Sequence, residues 1–153
     1  MENDKGWMQE AIAQARQAAK IDEVPIGACI VDKKGDLLGS AFNRTIVDND
    51  PTAHAEILAI RAAALKIDNY RLTDTTIYTT IEPCAMCAGA IVNARIKRLV
   101  YGAPDERFGA VETHFGIGNT DLLNHRVEIA SGLMTDECRA LMQDFFRAKR
   151  VGK

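Results

Sequence analysis

Strand-like and helix-like segments alternate through the middle of the chain, and this alternation restricts the fold more than any other feature. Residues 53–66, AHAEILAIRAAALK, are rich in Ala and Leu and predict a helix. The β-branched run TTIYTTI at 75–81 predicts a buried strand, residues 84–94 predict a second helix, and IKRLVYGA predicts another strand. This order is typical of an α/β domain, in which helices pack against a central sheet.

The flanking segments complete the predicted architecture. Their patterns predict a helix over 5–20, strands at IGACIVD, LLGSAF and HRVEIA, and a last helix over 136–150. The first two of these strands are joined by a turn at Gly35, so they should pair antiparallel and make the sheet mixed. The chain has 153 residues, which suits one domain spanning 1–153.

Composition and charge argue against several classes of protein. The net charge of −2 argues against a broadly basic surface, although a local one is compatible with it. No stretch approaches the roughly 18 apolar residues of a membrane span. The acidic N-terminal segment has no apolar signal region. We therefore expect no membrane association and a cytoplasmic location, where cysteines serve metals or catalysis more often than disulfides.

Two short motifs place metal-binding residue types at the predicted starts of two helices. PTAHAE carries His54 and Glu56, and EPCAMC carries Cys84 and Cys87. Helix N-termini have a partial positive charge and unpaired N–H groups, and both favour the thiolate form of a nearby cysteine. The two first turns can therefore hold a metal between them.

Polar residues and prolines just before these motifs predict where the helices begin. Asp50 or Thr52 is the predicted cap of the first helix, with Pro51 near its first turn. Glu82 and Pro83 are predicted to open the second helix.

His54, Cys84 and Cys87 form a nitrogen and sulfur ligand set that suits zinc. A catalytic zinc keeps three protein ligands and one position for water, which leaves Glu56 available as a base. The combination of H-x-E with P-C-x-x-C is the known signature of zinc-dependent nucleobase deaminases. The pattern predicts one Zn²⁺ per chain, with Glu56 carrying protons from water to the ring nitrogen and to the leaving amine.

Two other interpretations of the cysteine pair remain open. A redox C-x-x-C pair would leave His54 and Glu56 without a task. A closed structural zinc site would need a fourth ligand, such as Cys29 or His114, and neither has ligand-type spacing. We expect Cys29 and Cys138 to be buried as apolar residues and His114 to be exposed or packed within a loop.

Five segments follow the order and spacing of a known enzyme family over about residues 7–150: PTAHAE, NYRL, TTIEPCAMCAGAIVNARIKRLVYGA, LNHRVEI and CRALMQDFFRAKR. They resemble the bacterial tRNA-specific adenosine deaminases of the cytidine/deoxycytidylate deaminase superfamily. The resemblance implies a three-layer α/β/α cytidine-deaminase-like fold with a mixed five-stranded sheet. It also implies a homodimer that converts adenosine to inosine at the wobble position of a tRNA anticodon.

The resemblance also assigns roles to single residues. It implies that His54, Cys84 and Cys87 bind zinc and that Glu56 moves protons. Asn43 matches the family asparagine that hydrogen-bonds the flipped base, and the alternative is an ordinary turn asparagine.

Basic and aromatic residues are concentrated in the last predicted helix, namely Phe145, Phe146, Arg147, Lys149, Arg150 and, just beyond it, Lys153. Together with the resemblance, they predict that Arg147 or Arg150 contacts the tRNA anticodon stem-loop and that one phenylalanine is in the core. The alternative is a solvated helix face above two core phenylalanines.

The chain departs from the family pattern after YGA, in the run PDERFGAVETHFGI. Asp105 and Gly109 match the acidic residue and the glycine that the family usually has here, whereas Phe108 and the segment VETHFGI are unusual for the family. This run should border the substrate opening.

Three functions remain in competition. A tRNA wobble adenosine deaminase accounts for every motif. A deaminase of a free base or nucleoside leaves the basic C-terminal helix unexplained. A zinc-stabilised RNA-binding module without catalysis leaves Glu56 unexplained, because a structural zinc needs no neighbouring carboxylate.

Overall fold

The computed structural model describes residues 3–151, which form four helices and one five-stranded sheet. Lys153, the last basic residue of the C-terminal cluster, lies outside the described residues. The elements are α1 Asp4–Lys20, β1 Gly27–Val31, β2 Leu37–Phe42, α2 Ala55–Ile67, β3 Thr76–Ile81, α3 Ala85–Asn93, β4 Arg98–Ala103, β5 Glu128–Ser131 and α4 Thr135–Val151. Within residues 3–151, every helix is too short or too polar to cross a membrane.

The sheet is mixed, as the sequence predicts. Its strand order is β2-β1-β3-β4-β5. Strand β1 is antiparallel to both β2 and β3, whereas β4 is parallel to both β3 and β5. The turn between β1 and β2 contains Gly35 at a φ of 87°, a left-handed conformation that glycine adopts without steric cost.

Helices cover both faces of the sheet, because successive strand residues point to opposite sides. Ile77 and Leu99 face the cluster that includes α2 and α3. Tyr78 and Val100 face the cluster that includes α1 and α4. The three-layer α/β/α architecture is therefore confirmed. Cys29 and Cys138 lie fully buried in the second cluster, in agreement with the expectation that they serve as apolar residues.

The predicted cap of α2 is wrong. The helix begins at Ala55, and its N-cap is His54, whose backbone is extended at φ −77° and ψ 152°. The Asp50 carboxylate instead accepts hydrogen bonds from the Thr52 N–H at 2.8 Å and the Thr52 hydroxyl at 2.7 Å. This local turn uses both candidate caps before the helix starts, and Pro51 lies inside the turn.

Strand β5 begins at Glu128, three residues later than the predicted start of HRVEIA at His125. The His125 ring Nε2 lies 2.8 Å from the Ile96 carbonyl oxygen, and the Val127 N–H donates to Gly118. These contacts hold residues 125–127 in a connection, so the parallel ladder with β4 starts only at Glu128.

Asp4 ties the start of α1 to the sheet. Its carboxylate accepts hydrogen bonds from the Tyr78 hydroxyl at 2.6 Å and from Arg98 Nη1 at 2.8 Å. The Asp4 and Arg98 side chains are only 16% and 17% exposed. The hydrogen bond from Arg98 holds the pKa of Asp4 well below its usual range.

We expect Asp4→Asn to lower the free energy of unfolding by about 2 kcal/mol at pH 7, because it removes charged hydrogen bonds that are partly shielded from water. A lowered pKa stabilises the fold above the pKa of the unfolded carboxyl, and this stability is lost as the pH falls. The difference from the wild type should therefore shrink below about pH 4. Urea unfolding between pH 3 and 7 measures it, with the exposed Asp36→Asn as control. Parallel profiles for wild type and Asp4→Asn would contradict the assignment.

Candidate active site

The structure brings His54, Cys84 and Cys87 together, as the motif spacing predicts. His54 is the N-cap of α2, Cys84 is the N-cap of α3, and Cys87 lies in the first turn of α3. The three candidate ligand atoms all lie within 4.8 Å of one another. The first turns of two neighbouring helices therefore converge on one point beyond the end of β3.

The spacing of these atoms fits a tetrahedral zinc ion. His54 Nδ1 lies 3.6 Å from Cys84 Sγ and 3.5 Å from Cys87 Sγ. Zinc bonds of about 2.3 Å to sulfur and 2.0–2.1 Å to nitrogen, at a tetrahedral angle, would separate such atoms by roughly 3.5 Å. The nitrogen and two sulfurs are also the donor types that zinc prefers.

Without a metal ion, the protein environment shifts the pKa values of the two thiols in opposite directions. A hydrogen bond with Cys87, and a further one with His54, lowers the pKa of Cys84 to about 4. The same hydrogen bond with Cys84, together with burial, raises the pKa of Cys87. One thiolate is therefore available at neutral pH without a metal. A cation bound here would displace the remaining proton, since a ligating thiol is deprotonated.

Glu56 lies in the first turn of α2 and is only 4% exposed. Burial raises the pKa of its carboxyl group to about 7. A carboxyl group with such a pKa can both accept and donate a proton near neutral pH, which suits a general acid and base.

The site opens into a cavity of about 480 Å³, large enough for a nucleobase. We call it the active-site cavity, and its lining residues are Val24, Ile26, His54, Glu56, Ile81, Glu82, Cys84, Asp105, Arg107, Phe108, Met142 and Phe146. Its walls are largely apolar, and its polar lining residues lie at the starts of α2 and α3 and in the loop after β4. The apolar wall residues come from four separate segments of the sequence, and of these only the run around Phe108 was expected to border the opening.

A second depression of about 720 Å³ adjoins the active-site cavity and shares Arg107, Met142 and Phe146 with it. We call it the basic groove, and its other lining residues are Gln143, Arg147, Lys149 and Arg150. The predicted RNA-contacting arginines thus lie beside the cavity and outside it. Phe145 is half-buried and Phe146 is 42% exposed, so the expectation that one of them is in the core is wrong.

Glu82 does not open α3, in contrast to the sequence prediction. It is 3% exposed, and its carboxylate accepts hydrogen bonds from the backbone N–H groups of Asp105, Val111, Glu112 and Thr113 at 2.9–3.2 Å. Burial would raise its pKa, but these bonds and the Thr113 hydroxyl lower it below the usual value. Glu82 therefore fixes the segment that borders the cavity, next to Cys84. Its partners lie 23–31 residues away, so local sequence patterns could not have identified this role.

Asn43 lies just after β2 and is 6% exposed. Its backbone N–H donates to the carbonyl of Ile26, a residue of the cavity wall. His114 is exposed, and its ring nitrogen contacts the Glu106 carbonyl, in agreement with the prediction of a loop histidine.

Comparison with known proteins agrees with this geometry. The model of the MafB19-like deaminase family matches residues 2–150. The tRNA-specific adenosine deaminase of Haemophilus influenzae is 44% identical over 152 residues, which cover 99% of this chain and 88% of that protein. The Streptococcus pyogenes serotype M1 protein of the same name is 41% identical over 153 residues, covering 100% and 89%.

A solved structure gives the same result. It comes from work on A-to-I editing by tRNA:A34 deaminases at the wobble position of transfer RNA. Its TM-score is 0.85 at 43% identity, and the match covers 89% of this chain and 98% of that one. The fold and the cluster of His54, Cys84 and Cys87 agree with these similarities, and the chain belongs to the MafB19-like deaminase family and to the tRNA-specific adenosine deaminases.

Proposed function

We propose that this protein converts adenosine to inosine at the wobble position of a tRNA anticodon. The observation that carries the proposal is the position of His54, Cys84 and Cys87 beside buried Glu56, in a cavity that continues into a groove lined by arginines. The cavity suits a single base, and the groove suits the phosphates that flank it.

The reaction adds water to the ring carbon that carries the exocyclic amine, and ammonia leaves. A carbon–oxygen bond forms, a carbon–nitrogen bond breaks, and one water is consumed. We assign the proton transfers to Glu56, which takes a proton from water and gives it to the neighbouring ring nitrogen, and then takes the remaining proton of the added hydroxyl group and gives it to the departing amine. Burial raises the pKa of this carboxyl group above its usual value, which favours a group that accepts and then returns a proton.

We assign zinc binding, one ion per chain, to His54, Cys84 and Cys87. When bound in such a site, zinc lowers the pKa of a water molecule from about 16 toward 7. The distances between the three ligand atoms support this assignment. The protein groups contribute the orientation of the site, because each ligand is held at the start of a helix.

We assign recognition of the flipped base to Asn43. An amide side chain can both donate and accept hydrogen bonds, which matches the edge of an adenine. The backbone N–H of Asn43 is bonded to Ile26 of the cavity wall, and this position supports the role.

We assign phosphate contacts to Arg147 and Arg150, which line the basic groove. Arg150 has no carboxylate partner in the described part of the chain, and Arg147 has only an exposed contact with Asp144 at 3.3 Å. Lys149 is less available because it pairs with Asp22. A tRNA substrate is also the reason to place the enzyme in the cytoplasm.

We further propose that the enzyme works as a homodimer, as the family resemblance implies. Leu65, Tyr70 and Leu122 support this proposal, because they are large apolar side chains that are 83%, 75% and 93% exposed. Contact with a second subunit would remove them from water.

The test compares an anticodon stem-loop containing adenosine with free adenosine, cytidine and guanine in one buffer. We expect the stem-loop to have the highest kcat/KM by several orders of magnitude, because remote phosphate contacts position the base over the catalytic groups. Nucleoside analysis of the product should show inosine. A free base or nucleoside with the highest kcat/KM would replace the tRNA proposal with the runner-up, and would leave the roles of Glu56 and the three ligands intact.

A further inference from the structure

We infer that Phe108 is a specificity-determining residue, whose ring stacks on a nucleotide next to the target adenosine. The inference rests on the proposed RNA substrate. It concerns a residue that lies outside the motifs that carry the family resemblance, so neither the active-site motifs nor the fold accounts for it.

Phe108 lies at the boundary between the base-binding space and the outer surface. It lines the active-site cavity together with Phe146 and Met142, and the latter two also line the basic groove. Phe108 is 63% exposed and Phe146 is 42% exposed. When the adenosine occupies the cavity, the base before or after it in the RNA would therefore lie at the cavity mouth, against an aromatic surface.

The Phe108 backbone is held in place, although its ring is exposed. The Asp105 carboxylate accepts hydrogen bonds from the N–H groups of Arg107 at 3.0 Å and Phe108 at 3.1 Å. Asp105 is itself anchored to Glu82 through its own N–H. A Cβ at position 109 would collide with the Glu82 carboxylate, so Gly109 lets the segment pack closely. Such preorganisation reduces the entropy that a stacking contact would cost.

The charges around the ring favour RNA as its partner. The Arg107 guanidinium lies over the Phe108 ring, 5.3 Å from its centroid. Neither Arg107 nor Arg150 forms an ion pair with another residue between positions 3 and 151. An aromatic ring beside unpaired arginines is the combination that binds unpaired bases and their phosphates. An apolar protein partner would have to desolvate these cations without compensation.

The test uses Phe108→Ala and, as matched control, Phe115→Ala. Phe115 belongs to the same unusual segment and is 82% exposed, but it does not line the cavity. Each variant is assayed with the intact anticodon stem-loop and with two stem-loops that are abasic on the 5′ or the 3′ side of the target adenosine. Phe108→Tyr keeps the aromatic face and serves as the rescue variant.

On the intact stem-loop, Phe108→Ala should lower kcat/KM by about 5- to 150-fold, mainly through a higher KM, as expected for the loss of one stacked base. On one of the two abasic stem-loops, Phe108→Ala and the wild type should have the same kcat/KM, because the base that stacks on Phe108 is then missing for both proteins. The kcat/KM of Phe108→Tyr should stay within about threefold of the wild-type value, and that of Phe115→Ala should equal the wild-type value. The change in KM and its dependence on one base distinguish stacking from a general structural defect.

Each outcome leads to a decision. If the wild type deaminates the intact stem-loop and Phe108→Ala does so equally well, this inference is wrong and the proposed function stands. If the loss persists on both abasic stem-loops, Phe108 acts on the fold of the segment and the stacking role is rejected. If the wild type does not act on the stem-loop at all, both the proposed function and this inference fail.

Discussion

Replacing Glu56 with alanine is expected to lower kcat by about 10²- to 10⁴-fold while the protein stays folded and keeps its zinc. Glu56 is buried beside the ligand cluster but is not one of the three grouped ligands. Its loss should therefore remove proton transfer without removing the metal. Stability should change little, because burial already makes the charged form of this carboxyl unfavourable.

Glu56→Gln sharpens this prediction, because the amide fills the same volume but cannot carry the proton between water and base. It should be as inactive as Glu56→Ala under single-turnover conditions. Glu137→Gln, at an exposed carboxyl in α4, should retain full activity and controls for the loss of charge. Metal content is measured on the same preparations. The role of Glu56 is refuted if either variant keeps a tenth of wild-type kcat, and a loss of zinc would identify it as a ligand.

The layered fold could be predicted from sequence because each element has its own local pattern. The run TTIYTTI is β-branched, the stretch that forms α2 is rich in Ala and Leu, and the early hairpin predicts a mixed sheet. The helix starts were less predictable. Asp50 and Thr52 are residue types that often cap helices, but they form hydrogen bonds with each other, and the N-cap of α2 is His54. The preference of a residue type for helix caps does not show whether its side chain will cap the helix or bond to a neighbouring turn residue.

The ligand cluster could also be predicted, because H-x-E and C-x-x-C place their residues within single helical turns. Most of the cavity walls could not. Glu82 binds donors more than 20 residues away, and Phe108 and Phe146 meet at the cavity only through tertiary packing. Long-range contacts of this kind leave no periodic signal in one sequence. The run that contains Phe108 was expected to border the substrate opening, and the structure confirms this, but its position beside Phe146 required the structure.

Replacing Cys87 with alanine is expected to remove the zinc, abolish measurable turnover and lower the melting temperature by about 10 °C. A ligand that binds only the folded state at 1,000 times its Kd stabilises it by about 4 kcal/mol. In a domain of this size, each kcal/mol corresponds to about 2–4 °C. In the proposed zinc site, Cys87 would join the first turns of α2 and α3 through the shared ion, and its loss would separate them.

A chelator separates the metal effect from the cavity that the substitution leaves. Chelation should lower the melting temperature of the wild type to near that of Cys87→Ala, but it should leave the variant unchanged. Cys138→Ala is the matched control, because both cysteines are fully buried and Cys138 lies away from the ligand cluster. That variant should lose some stability through its own small cavity, keep one zinc per chain and keep full sensitivity to the chelator. A Cys87→Ala protein that retained zinc, or a wild type insensitive to chelation, would show that the site does not hold α2 and α3 together through a metal.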